Sequence, residues 1–139
     1  MKQVCVLGAG TWGIALAQAL AGDGHRVVVW SALPQEIDHL SVTHRHPYLP
    51  DVQLNDAIRY EKNIADAISG SDLLLFAVPS VYLRSTVMQA KPYIPAGQLI
   101  VSVVKGIERE TLMTMTEVIE DVLGGDIPDA RIVALSGPT

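Results

Sequence analysis

Apolar positions along the chain follow two rhythms. Short runs rich in Val, Ile and Leu, apolar at nearly every position, occupy 4–7, 26–30, 58–60, 73–78, 99–104 and 131–135. Between them, 12–21, 34–40, 63–68, 80–90 and 110–123 carry apolar residues at helical spacing. A strand wet on one face alternates apolar with polar, whereas a strand covered on both faces is apolar throughout. Strand and helix alternating with short connectors therefore predict an α/β fold, doubly wound, with a mainly parallel sheet and helices on both faces. Local punctuation agrees. Asn63 is placed to cap the third helix, with Asp66 three residues on and Gly70 past its end. Ser80 is expected to cap the fourth, Pro92 and Pro95 mark its exit, and Pro34 suits the first turn of the second.

The stretch 41–56 breaks the pattern: it is polar, holds Pro47 and Pro50, and lies among His39, His44 and His46. A connection of that length is long for a compact domain and is a candidate functional loop. The three histidines raise the question of a metal. They have no accompanying acid or cysteine at ligand spacing, so His44-x-His46 reads as solvated and no metal is expected. Met113 and Met115, near the start of the fifth helix, read as packing residues.

At 139 residues, 49% hydrophobic and 18% charged, the chain has the size and apolar content of one domain, and disorder is excluded. A net charge of −5 argues against a nucleic-acid or anionic-membrane partner. It leaves room for a local anion site built from backbone N–H groups. No apolar run approaches the roughly 18 residues of a membrane span, and the run at 4–7 is too short for a signal sequence. A cytoplasmic location is the resulting expectation. The single cysteine, Cys5, lies in an apolar run and reads as a buried thiol.

The chemistry concentrates in Gly8-Ala9-Gly10-Thr11-Trp12-Gly13, between the first strand and the first helix. In that context GxGxxG is a dinucleotide-binding signature. Gly8 permits the tight turn, Gly10 lets a pyrophosphate approach the backbone, and Gly13 lets the helix lie against the strand. The bland alternative is a tight turn that binds nothing. After the second strand, where NAD-binding domains often place an acid on the ribose 2′-hydroxyl, stand Ser31, Ala32 and Leu33. With no acid there, a 2′-phosphate would meet no repulsion; with no Arg or Lys, nothing grips it. The cofactor is NADP or NAD, with a lean to NADP by elimination, and Ser31 is a candidate hydrogen-bonding group. Lys105 follows the fifth strand and is aimed at the crevice outside the carboxyl ends of the sheet; the alternative is a solvated lysine. Ser136-Gly137-Pro138-Thr139 follows the sixth strand at the same edge and, by itself, reads as an ordinary turn. No nucleophile, base and orienter set can be assembled from the spacing.

Taken together the motifs resemble the opening of bacterial NAD(P)-dependent glycerol-3-phosphate dehydrogenases. The resemblance runs from Val6 through the glycine motif to Ala17, then Gly24-His25, Tyr48-Leu49-Pro50 and Ala77-Val78-Pro79-Ser80. It continues through Lys91-Pro92, Val104-Lys105-Gly106-Ile107-Glu108 and Leu135-Ser136-Gly137-Pro138-Thr139. It implies a Rossmann-type domain spanning 1–139 and a hydride transfer between NAD(P)H and dihydroxyacetone phosphate or sn-glycerol 3-phosphate, in glycerophospholipid synthesis. By the same resemblance Thr11 and Trp12 would contact the dinucleotide, and Tyr48 and Pro79 would line its pocket. Lys105 would lie beside nicotinamide and substrate, and Gly137 and Thr139 would help hold the substrate. Family members often carry a basic residue where this chain has Ala32. The resemblance also implies a helical C-terminal domain, outside this chain, bearing a catalytic lysine and most of the substrate site. No catalytic residue is therefore expected in 1–139, which would bind cofactor weakly and turn over nothing alone; the full-length protein would be a homodimer. Two other readings stay open: the cofactor domain of another two-domain hydroxy-acid or sugar-acid dehydrogenase, and a non-catalytic nucleotide-binding sensor.

Overall fold

Each apolar run forms a strand, and the strands assemble into one parallel sheet. In the computed structural model, which describes residues 1–135, the elements are β1 (Gln3–Leu7), α1 (Thr11–Gly22), β2 (Arg26–Trp30), α2 (Pro34–Thr43), β3 (Arg59–Glu61), α3 (Ile64–Ile68), β4 (Leu73–Phe76), α4 (Leu83–Ala90), β5 (Leu99–Ser102), α5 (Met115–Leu123) and β6 (Arg131–Ala134). Short 3-10 turns at Ser80–Tyr82 and Lys91–Tyr93 flank α4. The six strands lie in the order β3-β2-β1-β4-β5-β6, and every adjacent pair is parallel. This is the doubly wound order in which the chain leaves β1 in one direction and returns to its other side at β4.

Both faces of the central strands β2, β1 and β4 are covered, which is why they do not alternate, whereas the edge strands β3 and β6 are more exposed. On β1, Val4 and Val6 face a core shared with Ile14 and Ala17 of α1 and Ile37 and Leu40 of α2. Cys5 and Leu7 face the opposite core, with Leu83 and Val87 of α4 and Val118 and Ile119 of α5. Successive side chains of a strand point to opposite faces, so the buried positions Val4–Leu7 between two helical layers are apolar at each step. Burial pushes the Cys5 thiol up to about 12, as expected of a packing cysteine.

Three boundaries differ from the sequence expectation. Helix α5 begins at Met115, not at 110, because Thr114 and Glu117 form a capping box. Glu117 N–H donates to Thr114 Oγ1 at 3.3 Å, and Thr114 N–H donates to Glu117 Oε1 at 2.9 Å. Ser80 caps no helix: it opens the 3-10 turn, and α4 starts after Tyr82 without a side-chain cap. Helix α2 continues to Thr43, where His44 at φ 53° ends it in the left-handed region. Asn63 caps α3 as expected, its Oδ1 accepting from Asp66 N–H at 3.1 Å.

Candidate functional site

The glycine motif divides its labour between packing and space. Gly8 adopts φ 126°, and a Cβ there would stand 2.7 Å from the Ala77 carbonyl oxygen. A Cβ on Gly13 would stand 2.5 Å from the Gly8 oxygen and 3.3 Å from Ala77 Cβ, so β1, α1 and the end of β4 meet at backbone distance. Gly10 is unlike either: its φ is −74°, and nothing lies within 4 Å of the position its Cβ would take. It is the N-cap of α1, with no side-chain cap and no acid in the first turn. The helix's first N–H groups lack intrahelical acceptors and carry partial positive charge, which makes this end an anion site. The open space above Gly10 is what a side chain would fill and what a phosphate needs.

Two cavities meet at this loop and share Gly10 and Thr11. The larger, of about 500 Å³, opens between the ends of β4 and β5 and is walled by Trp12, Val78, Pro79, Ser80, Val104 and Lys105. The smaller, of about 350 Å³, lies over α2 and the loop that follows it, and is walled by Gln35, Glu36, His39, His46 and Tyr48. The crevice is therefore where doubly wound sheets place ligands: outside the carboxyl ends of the strands, at the point where strand order reverses. Trp12 and Tyr48, 48% and 81% exposed, stand on either side with their rings available to a ligand.

Of the residues singled out in sequence, Gly10, Thr11, Trp12, Tyr48, Pro79 and Lys105 converge on this crevice. Gly8 and Gly13 lie beneath it and shape it. Ser31, Ala32 and Leu33 do not line either cavity. Ser31 is buried; its hydroxyl donates to Glu36 Oε1 at 2.5 Å and accepts from Leu33 N–H at 3.1 Å. Its hydroxyl proton and one lone pair are thus engaged within the protein. Gly137 and Thr139, with Ser136 and Pro138, lie outside the described residues.

Three residues missed by the sequence reading shape the site. The first is Glu36, an acid brought to the smaller cavity by the first turn of α2. It stands 23 residues after Gly13, near the spacing at which the signature acid is expected, and that spacing was the available signal. The second is His46, which is buried rather than solvated. Its Nδ1 accepts from Tyr48 N–H at 3.0 Å, which assigns the proton to Nε2, donated to the Ala9 carbonyl at 3.1 Å. The loop after α2 is thus tied to the glycine motif. Among the described residues no group of three or more His, Cys, Asp or Glu side chains is placed to hold a metal ion.

The third is Arg84 on α4, which anchors the segment carrying Lys105. Its Nε and Nη2 donate to the two Glu108 oxygens, both at 2.9 Å, and Nη1 donates to Asp121 Oδ2 at 2.7 Å. Thr111 Oγ1 adds a bond to Glu108 Oε1 at 2.6 Å. The Arg84 fork, and then Thr111, hold the Glu108 carboxyl down at about 2. Gly106, at φ 125°, lets the chain turn between Lys105 and this anchor while passing close to Ser80. Arg84 and Glu108 are 24 residues apart, and no local pattern links them.

A six-stranded parallel sheet with a glycine-rich turn and helix N-terminus at its switch point defines the Rossmann-type class of dinucleotide-binding folds. Residues 3–139 match the family model described as the N-terminus of NAD-dependent glycerol-3-phosphate dehydrogenase, and the chain belongs to that family. It is 53% identical over 141 residues to glycerol-3-phosphate dehydrogenase [NAD(P)+] 2 of Lactobacillus delbrueckii subsp. bulgaricus, covering 100% of this chain and 42% of that protein. A second relative, glycerol-3-phosphate dehydrogenase [NAD(P)+] of Agathobacter rectalis, is 43% identical over 140 residues, covering 100% of this chain and 40% of its own length. Among solved structures, the glycerol-3-phosphate dehydrogenase of Coxiella burnetii superposes with a TM-score of 0.89 at 26% identity, over 99% of this chain and 41% of that one. The chain spans 40–42% of the length of these curated relatives.

Proposed function

We propose that this chain is the cofactor-binding domain of an NAD(P)-dependent sn-glycerol-3-phosphate dehydrogenase. The observation that carries the reading is the pair of cavities meeting at Gly10 and Thr11, one on each side of an uncapped helix N-terminus. Their arrangement suits a molecule with two bulky ends joined by a pyrophosphate. The α1 N-terminus would receive the pyrophosphate, the α2 side the adenosine, and the β4–β5 side the nicotinamide. When bound, the nicotinamide supplies the hydride exchanged with the carbonyl carbon of dihydroxyacetone phosphate.

The chain's own contribution follows from the wall of the larger cavity. Trp12, Val78, Pro79 and Val104 give it an apolar lining suited to a flat ring. Lys105 places an ammonium on the same wall, suited to a substrate phosphate or to negative charge developing on the carbonyl oxygen. The anchor formed by Arg84 and Glu108 holds the lysine's segment against α4. The remaining substrate contacts and a proton-donating lysine would come from the part of the family's length that this chain does not span.

Calorimetric titration of the protein with NADH and NADPH tests the reading. Saturable binding of at least one is expected, and a Gly10→Val variant that keeps its circular dichroism spectrum should lose it. Absence of binding by the folded protein would overturn the proposal.

A further inference from the structure

The structure supplies the acid that the end of β2 lacks, and it comes from helix α2. Glu36 lies in the first turn of α2 on the wall of the smaller cavity. Its position is fixed from two directions. Its backbone N–H donates to the Leu33 carbonyl at 3.0 Å, and its Oε1 accepts the Ser31 hydroxyl proton at 2.5 Å. Ser31 is buried and its oxygen already accepts from Leu33 N–H, so it acts as a strut beneath the carboxylate. Among the described residues no protein group bonds Oε2 of Glu36.

We propose that Glu36, held by Ser31, selects the dinucleotide whose adenosine ribose carries a free 2′-hydroxyl over the one that carries a 2′-phosphate. The inference rests on the dinucleotide reading and deepens it, choosing NAD over NADP. An ionised carboxylate is acceptor-only, so it takes a hydrogen bond from a ribose hydroxyl and none from a phosphate dianion. A phosphate monoester brings roughly −1.5 to −2 charges against it at neutral pH. No Lys or Arg lines this cavity to offset that repulsion. Of the cations on neighbouring elements, Lys62 pairs with Asp38 at 2.6 Å. The Arg45 guanidinium donates to the Pro50 carbonyl at 2.7 Å and to Gln53 Oε1 at 3.0 Å. His39 lines the cavity beside Glu36, and His46 is engaged with Ala9 and Tyr48.

This reverses the lean to NADP drawn from the sequence of the strand end, where the absence of an acid at 31–33 implied no repulsion. The acid is absent from the strand end and present in space.

Glu36→Gln keeps the side chain's size and removes its charge. Paired titrations with NADH and NADPH, on the wild type and this variant, read the effect directly. The wild type is expected to bind NADH at least about tenfold more tightly, and the variant to narrow that ratio by about tenfold through weaker NADH and tighter NADPH binding. Ser31→Ala, which releases the carboxylate without removing it, should narrow the ratio by a smaller factor. In the wild type the ratio should also fall as salt rises, since the discrimination is electrostatic. A wild type that prefers NADPH, or a ratio unmoved in Glu36→Gln while both nucleotides still bind, would overturn the assignment of Glu36 alone. Failure of the wild type to bind either nucleotide would overturn the dinucleotide reading and this inference with it.

Discussion

The two sides of the glycine loop are built by different means. On the α2 side the wall is tied down without an ion pair, by hydrogen bonds from His46 to Ala9 and Tyr48, from Leu33 to Ser31, and from the Ser31 hydroxyl to the Glu36 carboxylate. On the β4–β5 side the Lys105 segment is held by charge, through Arg84 with Glu108 and Asp121, at the rim of an apolar cleft. Both sides expose apolar side chains, Val81 and Ile107 in the segments that follow β4 and β5, and Leu33, Val42 and Tyr48 around α2, so the contrast lies in how each wall is held. The bonds of His46 and Leu33 join a side chain to backbone and carry no ion pair. An ion-pair anchor fixes a shape that depends on ionisation. The comparison thus separates a wall held by uncharged and single-charge hydrogen bonds from a segment, carrying Lys105, that is anchored by ion pairs.

The comparison rests on the loop that both sides share, so the largest expected effect lies there. Gly8→Ala is expected to cost about 3 kcal/mol or more, since strain at a positive φ adds to overpacking against Ala77. Gly10→Ala should change stability by no more than about 1 kcal/mol, because its φ is ordinary and its Cβ meets nothing. Urea denaturation of the two variants checks the contrast. Equal losses would mean that the loop is strained as a unit and that Gly10 is not reserved for a ligand.

A smaller effect is expected on the α2 side. His46→Ala leaves the Ala9 carbonyl and Tyr48 N–H without their partner, at a cost of about 1–3 kcal/mol if they stay buried. The same variant should loosen the loop after α2, seen as faster amide exchange at 44–55 with little change at β5. Exchange that rises equally in both halves would show that the two walls are not independent.

The smallest effect concerns the charged anchor and is best read as a pH dependence. The Glu108 carboxyl is lowered from 4.5 to about 2 by the Arg84 fork. A depressed carboxyl contributes stability that is fully present above its unfolded value and is lost as pH falls through its folded one. Glu108→Gln should therefore flatten the acid limb of the stability profile between pH 4.5 and about 2, leaving its shape above that window unchanged. An unaltered acid limb would mean that solvent screens the anchor and that it does not hold the Lys105 segment.

Some of this was legible in the sequence because its cause is local. The strands announced themselves by unbroken apolar runs, which arise whenever both faces of a sheet are covered, and Gly8 to Gly13 marked the turn. Asn63 showed its capping role through the acid three residues on. The start of α5 was also written in the chain, as Thr114-x-x-Glu117, but the helical periodicity that begins at 110 masked it.

What stayed hidden depends on distance through space. Arg84 finds Glu108 because α4 packs beside α5, and His46 becomes buried because the loop after α2 folds back over the glycine motif. Glu36 reaches the smaller cavity because α2 begins at Pro34 and its first turn lies over Ser31. The sequence by itself determined the order of elements, the doubly wound sheet and the place of the glycine-rich turn, since backbone geometry and face-by-face burial act over a few residues. Only the tertiary structure decided which acid lines the smaller cavity, which histidine braces the loop and what anchors Lys105. Those contacts join side chains whose meeting is set by packing between elements.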